Sequence, residues 1–266
     1  MAIIGSVLGR FSRLSLSTAD EKQYTLENNF LTRLALRLIG VPHLGFRARA
    51  RVMLRAASRL PAAGRALDAG CGYGIYSFSL AERGWTVDSI DLETVRIEEI
   101  KKMLTEAPDL AARVHPVAGS LATLPFQDQV YDLIVCSEVI EHMPEDVPAL
   151  NELARVIKPG GTLLLSVPHW STHNLRIFRS FDHERPGYTE GALRAFLTER
   201  GFEIEKVSFY EYRFGTFLFD AYNRFHSKAL MGLLFYPFYA LYLLDALLTV
   251  GEPNGIIVIA KKLPKP

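Results

Sequence analysis

The chain has 266 residues, 49% of them apolar and 22% charged, with a formal net charge of +1. This length supports one generous domain or a domain with additions around a sizeable core, and the near-zero charge excludes a strong overall field for nucleic acid or acidic partners. Two cysteines, Cys71 and Cys136, exclude a disulfide framework and predict a reducing, cytoplasmic setting. The start, "MAIIGSVLGRFSRLS", is apolar, but Arg10 and Arg13 follow without a clear cleavage site, so no secretory signal is predicted.

Residues 1–20 read as a loose or interfacial arm, and "LENNFLTRLALRLI" (26–39) as an amphipathic helix. After the break "VPHLG" (41–45), a helix carries Arg47, Arg49, Arg51, Arg55 and Arg59. We expect these arginines on a solvated face, their stems lying over apolar surface. Alternation begins at "RALDAG" (65–70), a strand, followed by the helix "IYSFSLAERG" (75–84). The strand "WTVDSID" (85–91) leads to the helix "ETVRIEEIKKMLTEA" (93–107). "RVHPVAGS" (113–120) is a strand with an internal proline, hence an edge strand. "VYDLIVCS" (130–137) is a strand and "VPALNELARVI" (147–157) a helix; "KPGG" then turns into the strand "TLLLSVP" (162–168). "TEGALRAFLTERG" (189–201) is a helix capped by Thr189 and closed by Gly201, before the strand "FEIEKVSF" (202–209). Alternating strands and helices imply an α/β fold with a parallel sheet between two helical layers.

In such a sheet ligands bind beyond the carboxyl ends of the strands. "LDAGCGYG" (67–74) lies at that end of the first strand. Its glycines tolerate positive φ and expose bare backbone to a ligand. Asp91 ends the second strand, where a carboxylate accepts hydrogen bonds from both hydroxyls of a ribose. The dinucleotide spacing G-x-G-x-x-G is not met, since Ile75 stands at its third glycine, and Gly-Lys-Ser/Thr is absent. Asp68 before the glycines disfavours phosphate and suits an ammonium. A phosphate-free nucleoside carrying an amino acid satisfies all three points, which is S-adenosylmethionine.

With "IDLE", "GSLATLPFQDQVYDLIVCSEVIEHM" and "ARVIKPGGTLLLSVP", the loop resembles the class I S-adenosylmethionine-dependent methyltransferases (type 11-like) over roughly residues 60–210. The resemblance implies a Rossmann-like three-layer sandwich whose seven-stranded, mostly parallel sheet has an antiparallel last strand. It places Asp68, Gly70, Cys71 and Gly72 against the methionine part, Asp91 on the ribose and Leu92 beside the adenine. Ser120 and Leu121 stand where the family often has an acidic and an apolar residue near the adenine. Serine at 120 departs from that pattern, leaving the adenine amino group to backbone or water. Ser137 falls beside the sulfonium.

In "SEVIEHMPED" helical spacing predicts Glu138, Glu141 and His142 on one face. Three readings follow, in the order we weigh them: packing or positioning at the cofactor, a general base in His142, and a divalent-cation site. Similar Glu-x-x-Glu-His clusters bind metal in ubiquinone-pathway O-methyltransferases and small-RNA 2′-O-methyltransferases. We expect no metal here; were one held, His169, His173 or His183 would supply a further ligand. Arg185 and Tyr188, in "FDHERPGYT", are expected to build a structural turn ahead of a substrate contact.

The last strand is "GIIVIAKK" (255–262), so residues 210–254 form a long apolar insertion before it. It cannot cross a bilayer once, because the strands on either side share one sheet; it folds back at Pro237 or lies along a protein or membrane surface. Pro237 and Asp245 also oppose a simple span. The organisation expected is an N-terminal arm with helices (1–60), a cofactor-binding domain (61–209 with 255–266) and a helical insertion (210–254). That insertion serves as substrate lid, peripheral membrane contact or homodimer interface. The function expected is methyl transfer to a small, hydrophobic or lipid-linked acceptor, with oxygen favoured. The alternatives are a non-catalytic binding protein and an RNA 2′-O-methyltransferase, which the charge and the apolar insertion oppose.

Overall fold

The computed structural model describes residues 44–61, 64–105, 107–177, 183–223 and 228–264. The expected arm at 1–20 and helix at 26–39 lie outside the described residues. Helix α1 (Leu44–Ala57) precedes β1 (Arg65–Ala69), α2 (Ile75–Ala81), β2 (Thr86–Asp91), α3 (Thr94–Thr105), α4 (Pro108–Ala111) and β3 (Val114–Ala118). Then come β4 (Tyr131–Ser137), a 3-10 turn (Ile140–His142), α5 (Asp146–Val156), β5 (Ile157–Pro168), α6 (Thr172–Ile177) and α7 (Glu190–Glu199). The chain closes with β6 (Phe202–Tyr210), α8 (Arg213–Asn223), α9 (Lys228–Leu248) and β7 (Gly255–Lys262).

The seven strands form one sheet in the order β3-β2-β1-β4-β5-β7-β6. β1 to β5 pair in parallel, and β7 runs antiparallel between β5 and β6. The proline-bearing β3 is an edge strand, as its missing donor requires. β6 keeps the sense of β5 but is the opposite edge among the described residues, where it pairs with the antiparallel β7. The sheet is covered on both faces, so its central strands bury apolar residues on each: Leu133, Ile134, Leu163, Leu164 and Leu165 are buried. The strand order reverses between β1 and β4, and a crevice for ligands opens at that switch point.

"KPGG" does not form a separate turn. β5 begins at Ile157 and runs through it, with a register irregularity opposite Tyr131 and Leu133. Gly160 takes φ +79° there, so a glycine-borne kink, not a chain reversal, meets the sheet. Thr189 caps α7 by accepting from the Ala192 N–H, and Gly201 ends the helix at φ +72°.

α1 buries Ala50, Met53, Leu54 and Ala57, a stripe at helical spacing that packs on α2 and α9. The insertion is the helical pair α8–α9, joined over its own small core of Leu218, Tyr222 and Tyr242. α9 continues through Pro237, so the insertion does not fold back there. Asp245 is buried for a definite reason: its carboxylate accepts from the N–H groups of Tyr212 and Gly215, both at 2.7 Å, and so caps α8 from a neighbouring helix. Among the described residues no helix is long and apolar enough to cross a membrane.

Candidate active site

The glycine loop leaves β1 in left-handed backbone, with φ of +73°, +53° and +78° at Gly70, Gly72 and Gly74. At Gly70 a side chain would run into Val139. At Gly72 the reason differs: a Cβ there would meet open space, so bare backbone faces the crevice. The loop is tied to the end of β2, because Gly70 and Cys71 donate to the Ile90 carbonyl at 2.8 and 2.9 Å. Gly72 donates to Asp91 Oδ2 at 2.8 Å, Glu93 donates to Oδ1 at 3.0 Å, and Arg96 lies 3.6 Å from Oδ2. Asp91 and the bare turn are thus one unit.

Asp68 is buried and accepts from the Ser77 amide at 2.9 Å and hydroxyl at 2.6 Å, while Ser89 donates to that hydroxyl. It therefore anchors the first turn of α2. Burial pushes its carboxyl up to about 7 against the pull of Ser77. Cys71 is buried and its thiol pushed well up by desolvation, so it packs and does not attack. Leu92 stands exposed on the rim, Leu121 is buried, and Ser120 Oγ accepts from the Ala122 N–H. Ser137 Oγ lies 3.3 Å from the Tyr76 hydroxyl. The crevice thus combines bare backbone, a carboxylate and apolar flanks, a set that fits an uncharged sugar and base with an amino-acid tail.

Glu138, Glu141 and His142 do not share a helical face. Glu138 is left-handed at φ +55° and precedes the 3-10 turn, so the chain breaks direction between them. Glu138 accepts from Ser166 Oγ at 2.7 Å and the Tyr210 hydroxyl at 3.1 Å, with Arg49 at 3.4 Å. Glu141 turns elsewhere. It is fully buried, both carboxylate oxygens lack a hydrogen-bond partner among the described residues, and desolvation beside Glu138 raises its carboxyl well above the usual range. Its ligand atom lies within 4.8 Å of those of His142 and His183, whose rings meet edge to face at 4.5 Å. Of the three histidines considered as a further ligand, His183 joins the group. His169 instead contacts the Pro253 carbonyl at 3.2 Å and packs on Phe209. The three residues that gather could hold a divalent cation.

Arg185 and Tyr188 build a turn, as expected. Arg185 donates to the carbonyls of Ile140 and Pro144, and the buried Tyr188 donates to Asp146 at 2.6 Å. They brace the 3-10 turn that carries Glu141 and His142. Sequence reasoning missed Arg49, expected in water. Its side chain is 14% exposed and meets Glu138 and Tyr210. The signal lay in the helix itself: Phe46, Arg49, Ala50 and Met53 follow one stripe, so Arg49 occupies an apolar position. Arg55 and Arg59 are exposed, as expected.

Residues 67–165 match a family model described as a methyltransferase domain. A ubiquinone biosynthesis O-methyltransferase from Paracidovorax citrulli is 33% identical over 104 residues, covering 38% of this chain and 42% of that protein. Its counterpart in Xanthomonas axonopodis pv. citri is 30% identical over 162 residues, 56% of this chain and 66% of that protein. The chain thus spans less than two thirds of the length of these relatives. Among solved structures, phosphoethanolamine N-methyltransferase 2 from Haemonchus contortus, in complex with phosphomonomethylethanolamine and S-adenosylhomocysteine, superposes with a TM-score of 0.67 at 17% identity, covering 92% of this chain and 59% of that one. The glycine loop, the carboxylate that ends β2 and the strand order agree with that match: residues 67–165 of this chain are similar to a methyltransferase domain, on a fold shared with solved methyltransferases.

Proposed function

We propose that this chain transfers a methyl group from S-adenosylmethionine to an oxygen of an apolar or lipid-linked small molecule. The observation that carries the reading is Gly72, whose bare backbone faces open space while its N–H is held by Asp91 at 2.8 Å. In this reading Asp91 holds the ribose, and Leu92, Ser120 and Leu121 flank the adenine. Asp68, Gly70, Cys71 and Gly72 border the methionine part, and Ser137 stands near the sulfur. When bound, the cofactor supplies an electrophilic methyl on a sulfonium. The chain's own work is to align the acceptor oxygen, exclude water and remove a proton. His142 takes that proton from the acceptor hydroxyl onto a ring nitrogen. Oxygen is favoured by the relatives' named chemistry. In the test, purified protein, labelled cofactor and an alkylated catechol yield a methyl ether, and His142→Ala lowers turnover by about 100-fold or more. Near-normal turnover in that variant removes His142 from the role; cofactor uptake without transfer to any hydroxylated apolar acceptor supports a binding protein instead.

A second reading is favoured by Glu141, whose two buried carboxylate oxygens have no hydrogen-bond partner among the described residues. A divalent cation held by Glu141, His142 and His183 would satisfy them and make the acceptor hydroxyl more acidic. Turnover abolished by chelation and restored by cation, with both effects lost in Glu141→Gln, supports it; turnover indifferent to chelator removes it.

The insertion at 210–254 is read as the acceptor's lid, its outer face a peripheral membrane contact. Leu241, Leu244, Leu247, Leu248 and Val250 are exposed there, and Trp170 and Leu175 are exposed on the segment that Ser171 and Thr172 bond to Asn254 and Glu252. Co-sedimentation with anionic vesicles that falls in Leu247→Ser supports the membrane face; a concentration-dependent dimer lost in the same variant supports an interface between copies.

A further inference from the structure

The most unusual group outside the matched domain is Arg49. It comes from α1, yet its guanidinium lies under the insertion at the carboxyl edge of the sheet. Nη1 sits 3.4 Å from Glu138 Oε2 and 3.4 Å from the Tyr210 hydroxyl, and its carbon lies over the rings of Phe46 and Tyr210 at 5.7 and 6.0 Å. Its Nε is buried and has no hydrogen-bond partner among the described residues. Burying an arginine is unfavourable, and an apolar side chain would staple these elements at least as well. A purely structural role therefore does not explain it.

Its partners point to one. Glu138 directly follows β4 and holds a left-handed backbone, which is strained for a non-glycine residue. That strain is held in place by the Glu138 N–H donating to the Ser166 carbonyl at 2.8 Å, by the Ser166 hydroxyl at 2.7 Å and by the Tyr210 hydroxyl at 3.1 Å. Tyr210 ends β6, its ring occupying space that a side chain at Gly255 would need. The next residue, Glu211, accepts from Tyr242 of α9 at 2.8 Å. One guanidinium thus joins three pieces of chain: the helix before the sheet, the turn that leads to Glu141 and His142, and the root of the insertion.

We propose that Arg49 is a positioning residue for methyl transfer. By pinning Glu138 and Tyr210 it sets the backbone turn that presents Glu141 and His142 to the acceptor, and it locks the insertion to that turn. The inference rests on the reading of the site as a methyltransferase, and the test separates the two.

The variants are Arg49→Ala, with and without methylguanidinium, and Tyr210→Phe, which keeps the ring and removes the hydroxyl. Turnover is measured with S-adenosylmethionine and an alkylated catechol, affinity with S-adenosylhomocysteine, and backbone order by hydrogen exchange of residues 138–142. We expect kcat to fall about 30-fold in Arg49→Ala and about fivefold in Tyr210→Phe, because small misplacements near reacting groups are costly in rate. Affinity for S-adenosylhomocysteine should stay within about threefold in both, and methylguanidinium should return about a tenth or more of the lost rate. Exchange at 138–142 should quicken by about tenfold in both variants while 68–74 is unchanged, and methylguanidinium should reverse it for Arg49→Ala. Unchanged kcat and unchanged exchange overturn the proposal. So does a loss that methylguanidinium does not mend and that matches the loss of folded protein. If Arg49→Ala does not fold, Tyr210→Phe decides by the same measures. If the wild-type protein transfers no methyl group, the methyltransferase reading fails by itself, and the exchange comparison still decides whether Arg49 positions the turn.

Discussion

Asp91 does two jobs at the residue scale. It fixes the glycine turn through the Gly72 N–H, and it presents a carboxylate at the crevice. Hydrogen bonds to a charged group contribute about 1.5–3 kcal/mol each, so Asp91→Ala should weaken S-adenosylhomocysteine binding by about 10- to 100-fold. A thermal-shift titration reads this as loss of ligand-induced stabilisation, and an undiminished shift would remove Asp91 from the site. The loop and Asp91 were legible in the sequence because left-handed backbone at Gly70, Gly72 and Gly74 admits few residues other than glycine. Arg49 was not. Its partners Glu138 and Tyr210 are remote in sequence, and a row of arginines reads as a wet face until tertiary contacts select one of them. Glu138 was misplaced for a related reason: spacing assigns residues to a helix, but one left-handed residue breaks the spacing.

The β6–β7 helical pair, at the scale of elements, explains its own polar residues. Asp245 caps α8 across the pair through two N–H groups, so Asp245→Ala leaves both without acceptors and should lower stability by about 1–2 kcal/mol. Urea unfolding checks this, and an unchanged midpoint would show that the cap contributes nothing. Glu211, at the root of the pair, has its carboxyl pushed up to about 7 by burial, with Tyr242 and Arg49 pulling the other way. A raised carboxyl binds its proton more tightly folded than unfolded, so its contribution is full below the unfolded value and is lost as pH rises through about 7. Glu211→Gln should therefore flatten the fall in melting temperature between about pH 5 and pH 8; a variant with the wild-type slope contradicts the assignment. The helices and strands of the sheet were readable from periodicity. The course of β5 through "KPGG" and the continuation of α9 through Pro237 were not, because strand pairing and helix–helix packing overrode the local signals of glycine and proline.

At the scale of the whole molecule, the described residues form a sheet between helical layers whose switch point opens a crevice at the glycine loop. Arg49 of α1 and Tyr210 of β6, both outside the matched domain, meet Glu138 within it, and Tyr242 of α9 bonds the adjacent Glu211. The matched domain, residues 67–165, holds the glycine loop, Asp91 and the Glu138–His142 turn but not Arg49 or Tyr210, which is why the former were legible in the sequence and the latter were not. Calorimetric titration of the full chain with S-adenosylhomocysteine tests the central claim most directly. The account predicts saturable uptake of one equivalent, strongly reduced in Asp91→Ala. Absence of any heat or saturation at about millimolar ligand, where even an affinity of about −4 kcal/mol would register, would contradict it.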